Sequence, residues 1–589
     1  MAPTSDLPTF DQLGAQIPDN LDAGSVAAEW FKSFSKYAAA GNGQEIAALF
    51  AADSYWRDLL ALTWDFRTFH GPALRQFLSE RLPTVKMSAF ALSDEHLCLK
   101  RPFPDMAWVE AMFKFETDVG YASGILRLIP QADGVWKAYC MFTNLEALKG
   151  FPEKIGPLRN PEPEHGKWEE RRQQEIAFET TNPTVLVIGS GQSGLGLAAH
   201  LQNLDVSVLV VEQNERIGDN WRNRYDALCL HDPVWYDHMP YLPFPPTWPV
   251  YTPARKMANW LESYADALDI PVWTSSEVTA ATQDSSRSWK VTVRNRVGGE
   301  RILDVQHLVF ATGFGSYRGA LPTYPGMDTF KGQLLHSSQH KRASDHKGKK
   351  VVVIGACTSA HDICADYYKH DIDVTMYQRS STYIMSTKHG WPILMGDRYS
   401  EDGPPTEIAD IQTASVPMQV VELMAPRRTL KIAEADKDLI EGLKKCGFRL
   451  NLGYKDLNDG RDDLHLITKT DVGTSQLLID GKIRLKNDSL IESFSASGLV
   501  FENGTRLEAD VVVFATGVGN VRDNICRVCG DLVADRCKPI WGLDAEGEVR
   551  GCWRDLGNLA YSRFYSKHLA LQIKAIQEGL FKERYSLDR

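Results

Sequence analysis

The sequence predicts an α/β protein with two dinucleotide-binding βαβ units in tandem behind a smaller α+β unit. Three observations predict it. PTVLVIGSGQSGLGLAAHLQNLDVSVLVVEQ occupies residues 183–213, and KKVVVIGACTSAHDICADYYKHDIDVTMYQRS at 349–380 repeats its rhythm. The third is a long-range echo, LVFATGFG at 308–315 and VVFATGVG at 512–519, one after each glycine stretch.

The bulk numbers bound the function. At 589 residues, and about 150 per module, the chain holds roughly four modules. Its apolar fraction of 43% is that of a globular protein. A net charge of −11 with no block of like charge argues against nucleic acid and anionic membrane surfaces as partners. No apolar run reaches the length of an integral membrane segment. The start, MAPTSDLPTFDQLG, lacks the basic and apolar regions of a signal peptide. Ten cysteines in so long a chain do not suggest a disulfide framework. The expectation is a soluble, cytoplasmic protein with reduced thiols.

The first unit, 1–150, reads as an α+β domain. Helical patterns are expected at 26–38, 46–50 and 72–81, then strands at 107–115, 124–128 and 135–143. The segment AADSYWRDLLALTWDFRTFHGPALRQFLSERL resembles the SnoaL-like (nuclear transport factor 2-like) cone fold. That resemblance implies a sheet wrapped round helices to form a pocket, which Asp53, Trp56 and Asp58 would line; the competing reading makes them helix-surface and packing residues. Residues 151–180, rich in proline and charge, read as a linker leading into a short helix.

The FAD-binding domain is expected at 181–345. After the strand 184–188 come Gly189, Ser190, Gly191, Gln192, Ser193 and Gly194, then a helix, then a strand ending at Glu212 and Gln213. Gly189 permits the tight turn, Gly191 lets the backbone approach a pyrophosphate, and Gly194 lets helix and strand pack closely. The helix N-terminus offers free N–H groups to phosphate. Glu212 can accept hydrogen bonds from ribose hydroxyls, which suits FAD.

The NADPH-binding domain is expected at 346–495. Its fingerprint is Gly355, Ala356, Cys357, Thr358, Ser359 and Ala360. Cys357 stands where the middle glycine belongs and adds a side chain where pyrophosphate approaches. Ala360 is a tolerated variant of the last glycine. The second strand ends in Arg379 and Ser380, not in an acid, and a guanidinium can bind a 2′-phosphate with two parallel hydrogen bonds. NADPH is therefore expected over NADH. Residues 496–589 read as an α/β tail ending in a helix over 568–579, similar to tails that close FAD-binding domains; Arg563, just upstream, is read as a phosphate contact or a surface ion pair.

Between the glycine stretches, FKGQLLH carries Phe330, Gly332 and His336 and matches the FxGxxxH signature of class B flavin-containing monooxygenases. Gly218-Asp219-Asn220-Trp221-Arg222, Arg224-Tyr225-Asp226 and Leu228-Cys229-Leu230-His231 are similar to that family's segment after the first motif. The resemblance covers about 183–589 and is nearest to YUCCA-like and fungal-type members. It implies that Asn220, Trp221, His231, Thr312, Gly313, Thr516 and Gly517 lie near the cofactors. It further implies an NADPH- and O2-dependent monooxygenase that forms a C4a-(hydro)peroxyflavin. One oxygen atom would pass to a small lipophilic substrate, at nitrogen, sulfur or a carbonyl carbon.

The chain departs from the pattern at His340, where the signature ends in an aromatic residue, and it offers no catalytic residue by motif. The aromatic stretch 235–251 is a candidate active-site wall or a proline-braced surface loop. An NADPH oxidase, a pyridine-nucleotide disulfide reductase and a non-catalytic flavin- or ligand-binding protein are the alternatives. The pair Cys526 and Cys529 lies outside the places a redox CxxC occupies, and with Cys537 and Cys552 it lacks regular zinc spacing; no metal is expected. For the N-terminal domain, capping the site, adding a pocket and forming a homodimer remain open.

Overall fold

The computed structural model describes residues 6–18, 20–313, 321–452, 469–471, 473–517, 519, 521–538, 543–548, 558–581 and 583–587. Phe314 and Gly315 of the first echo, Val518 of the second, and Cys552 lie outside the described residues.

The fold is mixed α/β. In the N-terminal unit, helix α1 (Ala23–Ala39) is capped by Asp22, whose carboxylate accepts from the N–H of Gly24 and Ser25. Strands β1 (Phe50–Leu59) and β2 (Phe66–His70) precede helix α2 (Pro72–Glu80), which starts with proline at its first position, where no N–H is needed. Strands β3 (Ser88–Leu92), β4 (Cys98–Phe103), β5 (Met106–Glu116), β6 (Gly120–Pro130) and β7 (Trp136–Leu148) follow. They form one sheet in the order β2-β1-β7-β6-β5-β3, with β4 also on β5.

The helical expectations at 26–38 and 72–81 are met, and so are the strands at 107–115, 124–128 and 135–143. Residues 46–50 differ: a helix ends at Ala48 and Phe50 already opens β1. Asp53, Trp56 and Asp58 sit on a strand, not on a helix surface. The strand was hidden because residues 54–59 are buried on both faces, which removes the alternation that marks a half-exposed strand. Trp56 faces inward against Phe34 and Phe77, with centroids 6.0 and 5.6 Å away, and is a packing residue. Asp58 accepts from Thr143 Oγ1 at 2.6 Å, Thr63 Oγ1 at 2.7 Å and the N–H of Leu62 and Thr63. Burial nevertheless raises its pKa to about 6. Asp53 is exposed, 3.9 Å from His70.

Helix α3 (Trp168–Ala177) stands where the linker is expected to lead into a short helix. Strand β8 (Val185–Ile188), helix α4 (Gln192–Asn203) and strand β9 (Val208–Val211) form the first βαβ unit. Strand β10 (Val272–Trp273) extends it on one side. An antiparallel trio, β11 (Ser276–Gln283), β12 (Trp289–Asn295) and β13 (Glu300–Val305), is inserted before β14 (His307–Phe310). The resulting parallel sheet has the order β10-β9-β8-β14. The second unit repeats the scheme with β15 (Gln333–His336), β16 (Lys350–Ile354), helix α5 (Thr358–Lys369), β17 (Asp373–Tyr377), β18 (Arg484–Lys486) and β19 (Val511–Phe514). Its parallel order is β15-β19-β16-β17-β18. Helix α6 (Leu559–Gln577) is the last helix among the described residues and is longer than the sequence pattern suggested.

The echo now has a physical reason. Strand β14 pairs with β8 up to Phe310↔Ile188, and β19 pairs with β16 up to Phe514↔Ile354. Each Ala-Thr-Gly turn thus leaves the sheet beside a glycine turn. A Cβ on Gly189 would lie 2.4 Å from the Ala311 carbonyl oxygen, and one on Gly355 would lie 2.4 Å from that of Ala515. Both glycines have φ in the left-handed range, +108° and +135°.

Candidate functional site

A cavity of about 2010 Å³ runs from the first glycine turn to the second. Pockets for one drug-sized ligand measure about 300–1,000 Å³, so this one has room for more than one ligand. Its wall includes Gly189, Gly191, Gln192, Ser193, Glu212, Gln213, Asn220 and Trp221 from the first unit, with Thr312 and Gly313 from the first echo. From the second come His336, Cys357, Thr358, Ser359 and Gly517. The cavity wall does not include Gly194, His231, Gly355, Ala360, Arg379, Ser380, Thr516, Phe330 or Gly332.

Two helices open on this space through uncapped ends. The N-cap residues of α4 and α5 are Gly191 (φ −75°, ψ −176°) and Cys357 (φ −100°, ψ −172°), and neither helix has a side-chain cap. The first-turn N–H groups are therefore left for an anion. Trp221 Nε1 and Arg224 Nε are buried without a hydrogen-bond partner. Both residues line the cavity, and among the described residues no ion pair is formed by Arg224. These open donors fit dinucleotide phosphates. Residues at the glycine turns and the two echo turns would hold FAD and NADPH.

Glu212 is committed more fully than its position suggested. One carboxylate oxygen accepts from Ser190 N–H and Oγ at 3.0 and 2.8 Å, the other from Asn214 N–H and Nδ2 at 2.9 and 2.7 Å. A carboxylate has about four acceptor positions, so a ribose hydroxyl would take the place of the Asn214 amide.

The signature residues make their contacts within the second unit. Phe330 packs edge-on against Phe494, and a Cβ on Gly332 would lie 2.4 Å from the Asp510 carbonyl oxygen. His336 is buried; its Nε2 donates to the Gly517 carbonyl at 2.8 Å, and its Nδ1 accepts from the Ser338 N–H at 3.2 Å. These partners define a neutral imidazole, and burial lowers its pKa accordingly. His336 holds the second echo turn.

The segment after the first motif fastens the two units together. Tyr225 donates to Asp362 on α5 at 2.9 Å, and His231 Nε2 lies 3.2 Å from the other oxygen of the same carboxylate. This places Arg224 on the cavity wall. Arg379 and Ser380 are exposed at the end of β17. His340 is buried, and burial pushes its pKa down to about 4.

The stretch 235–251 does not contribute to this wall. Phe244 and Trp248 stack at 4.6 Å, and Lys256 sits 4.0 Å over the Trp248 ring. Arg563 is neither a phosphate contact nor a surface pair here. It is buried, donates to both oxygens of Asp410 at 2.7 and 2.8 Å, and reaches the carbonyls of Tyr236 and His238. Cys526 and Cys529 share a helix, where Cys526 Sγ donates to Asp531 at 2.8 Å.

The sequence reading missed Arg224 and the face of α6 formed by Tyr565, Ser566, Leu569, Gln572, Ile573 and Ile576, all on the cavity wall. The helical spacing of that face is visible in the sequence; what it faces is not.

Residues 182–521 match the Flavin-binding monooxygenase-like family. Indole-3-pyruvate monooxygenase YUCCA1 of Oryza sativa subsp. japonica is 27% identical over 361 residues, covering 60% of this chain and 81% of that protein. The flavin-containing monooxygenase from Stenotrophomonas maltophilia is 18% identical, with a TM-score of 0.44, over 67% of this chain and 99% of that one. The crystal structure of OTEMO in complex with FAD and NADP is 19% identical, with a TM-score of 0.48, over 68% of this chain and 86% of that one. With more than half its length matched, the chain belongs to the flavin-binding monooxygenase-like family, and it is an FAD-dependent enzyme that uses NADPH and O2 to oxygenate a small organic substrate.

Proposed function

We propose that FAD lies against the first glycine turn and NADPH against the second, and that the oxygen acceptor is a small lipophilic molecule. It is oxidised at nitrogen, sulfur or a carbonyl carbon. The observation that carries this reading is the single cavity joining both turns, since hydride transfer requires the two cofactors to meet. When bound, FAD accepts hydride from NADPH and activates O2.

The protein's own share is binding, orientation and exclusion of water. The α4 N-terminus and Asn220 receive one diphosphate; the α5 N-terminus, Thr358, Ser359 and Arg224 receive the other. Arg379 selects the 2′-phosphate at the end of β17. Neutral His336 keeps the Gly517 turn in place without exchanging a proton. Leu569 and Ile573 give the wall an apolar side that keeps water away from the reacting atoms.

The boundaries 1–150, 151–180, 181–345, 346–495 and 496–589 describe this division of labour, with the outer two FAD segments sharing one cofactor. In this reading the glycine-turn units are Rossmann-like and the N-terminal unit is a SnoaL-like cone, supported by its one seven-stranded sheet packed against α1. Its interior is filled by Phe34, Trp56 and Phe77, which favours a structural role for it.

The test is a panel of lipophilic sulfides, amines and ketones incubated with NADPH under heavy-isotope O2. One labelled oxygen atom is expected in the product of at least one class. Hydrogen peroxide as the sole oxygen product with every class would refute the reading.

A further inference from the structure

The described N-terminal unit and helix α6 are joined by a dense set of buried polar contacts, and the opposite face of α6 is cavity wall. On the paired strands β1 and β2, Arg57 stands opposite Thr68 and Asp58 opposite Arg67. Arg57 Nε donates to Glu548 Oε1 at 2.8 Å and Nη2 to Oε2 at 3.3 Å, with both side chains almost fully buried. Thr68 Oγ1 donates to the same carboxylate at 2.7 Å. Arg67 grips Glu546 with both arms of its guanidinium, Nε to Oε2 at 2.6 Å. Two arginines from one hairpin thus hold two glutamates, spaced two residues apart, in the segment that precedes α6.

The helix itself is held next. Lys567 donates to Glu146 at 2.9 Å, and Phe66 lies against Tyr565 and His568 with centroids 5.5 and 5.6 Å away. Two residues reach both sides. Gln572 lines the cavity and donates to the Trp64 carbonyl at 2.9 Å. Tyr565 lines the cavity and has its hydroxyl 3.5 Å from Arg57 Nη2. At its start, α6 packs on α4 just beyond the first glycine turn, where Ser562 Oγ and Ser193 Oγ are 3.1 Å apart.

We infer that the N-terminal unit is a brace for the flavin cavity: Arg57, Arg67 and Glu146 are positioning residues that hold α6 against the bound FAD. This rests on the proposal that FAD lies at the first glycine turn. Paired buried charges hold a geometry strongly because either partner left alone is an unpaired buried charge. The unit therefore acts on FAD retention, through Tyr565 and Gln572, with no chemistry of its own. Of its buried acids, Asp58 is saturated by hydrogen bonds within the unit, and Glu110 is paired with Arg127 at 2.8 Å.

The experiment compares full-length wild type with Arg67→Gln, whose pair lies at the edge of the interface, and with the exchanged pair Arg67→Glu, Glu546→Arg. FAD release is followed by flavin fluorescence after dilution, at a temperature where circular dichroism shows all three folded. NADP⁺ affinity of the flavin-loaded proteins is the control. The expected result is FAD release at least tenfold faster in Arg67→Gln, with unchanged NADP⁺ affinity and partial recovery in the exchanged pair, which regains the ion pair but not the hydrogen bond that Arg67 gives the Tyr585 carbonyl. Release within twofold of wild type would overturn the brace, and so would an equal loss of NADP⁺ affinity, which would mean general loosening. Should Arg67→Gln not fold, Arg67→Lys, which keeps the charge but loses the two-armed grip, takes its place under the same criteria. Wild type that holds no FAD would count against the flavin site; firm FAD in every variant counts against the brace alone.

Discussion

Gly191→Ala and Gly194→Ala add one methyl group each to the same turn, and the structure assigns them opposite consequences. A Cβ on Gly194 would lie 2.0 Å from the Gly189 carbonyl oxygen and 3.3 Å from Ala311 Cβ. Helix and turn would have to separate by about 1 Å, an overpacking that costs about 1–3 kcal/mol. For a cooperative unit of 150–250 residues, that lowers the unfolding temperature by roughly 2–12 °C. At Gly191 the nearest atom to a Cβ is Asn220 Nδ2 at 3.6 Å, an ordinary contact, and φ is −75°. The folded chain therefore accommodates alanine there, and the new methyl intrudes on the cavity at the helix N-cap. Losing one charge-assisted hydrogen bond to phosphate, about 1.5–3 kcal/mol, weakens FAD binding by about 10–150-fold. Thermal unfolding of the apoproteins and FAD titration by fluorescence quenching separate the two. The reasoning is refuted if Gly191→Ala binds FAD like wild type, or if Gly194→Ala unfolds at the wild-type temperature.

Other consequences can be checked on the same protein. Arg224→Gln should raise the NADP⁺ dissociation constant by about 10–150-fold, the value of one charge-assisted contact, in an equilibrium titration with FAD content unchanged; loss of FAD with NADP⁺ binding intact would assign the residue to the other cofactor. Cys357 is exposed on the wall in a backbone conformation open to any residue, so Cys357→Gly should tighten NADP⁺ binding by about 2–10-fold, an effect of about 0.5–1.5 kcal/mol, and bound NADP⁺ should protect the wild-type thiol from alkylation. His238 Nδ1 accepts from the Phe244 N–H at 3.1 Å, and burial, with Arg563 nearby, pushes its pKa down to about 4. The unfolded chain then binds more protons than the folded one between pH 6.5 and about 4. The neutral ring's contribution is present above pH 6.5 and lost as pH falls through that window, and His238→Asn should flatten the acid limb of a denaturant-stability profile.

The sequence shows the parts of this protein that repeat a local rule. Glycine turns, their flanking apolar strands and the echo at Ala311-Thr312-Gly313 and Ala515-Thr516-Gly517 are written in neighbouring residues, and the fold places them where the pattern implied. Long-range partnerships are not written that way. Arg563 looks like any basic residue on a helix until Asp410, 153 positions away, closes on it. The pairing of Arg57 with Glu548 spans 491 positions. Strand β1 escaped detection because it is covered on both faces, and period-two alternation exists only where one face meets water. Arg224 stood inside a recognised segment, yet only the attachment of Tyr225 and His231 to Asp362 directs it to the cavity.

The central claim, that one cavity brings FAD and NADPH together for oxygenation, is tested most directly by rapid mixing without oxygen. The purified protein, loaded with FAD, is mixed with NADPH and separately with NADH, and the visible flavin absorbance is followed. The account predicts fast bleaching by NADPH, much slower bleaching by NADH, and loss of the NADPH advantage in Arg379→Ala. Flavin that neither nucleotide bleaches would contradict it.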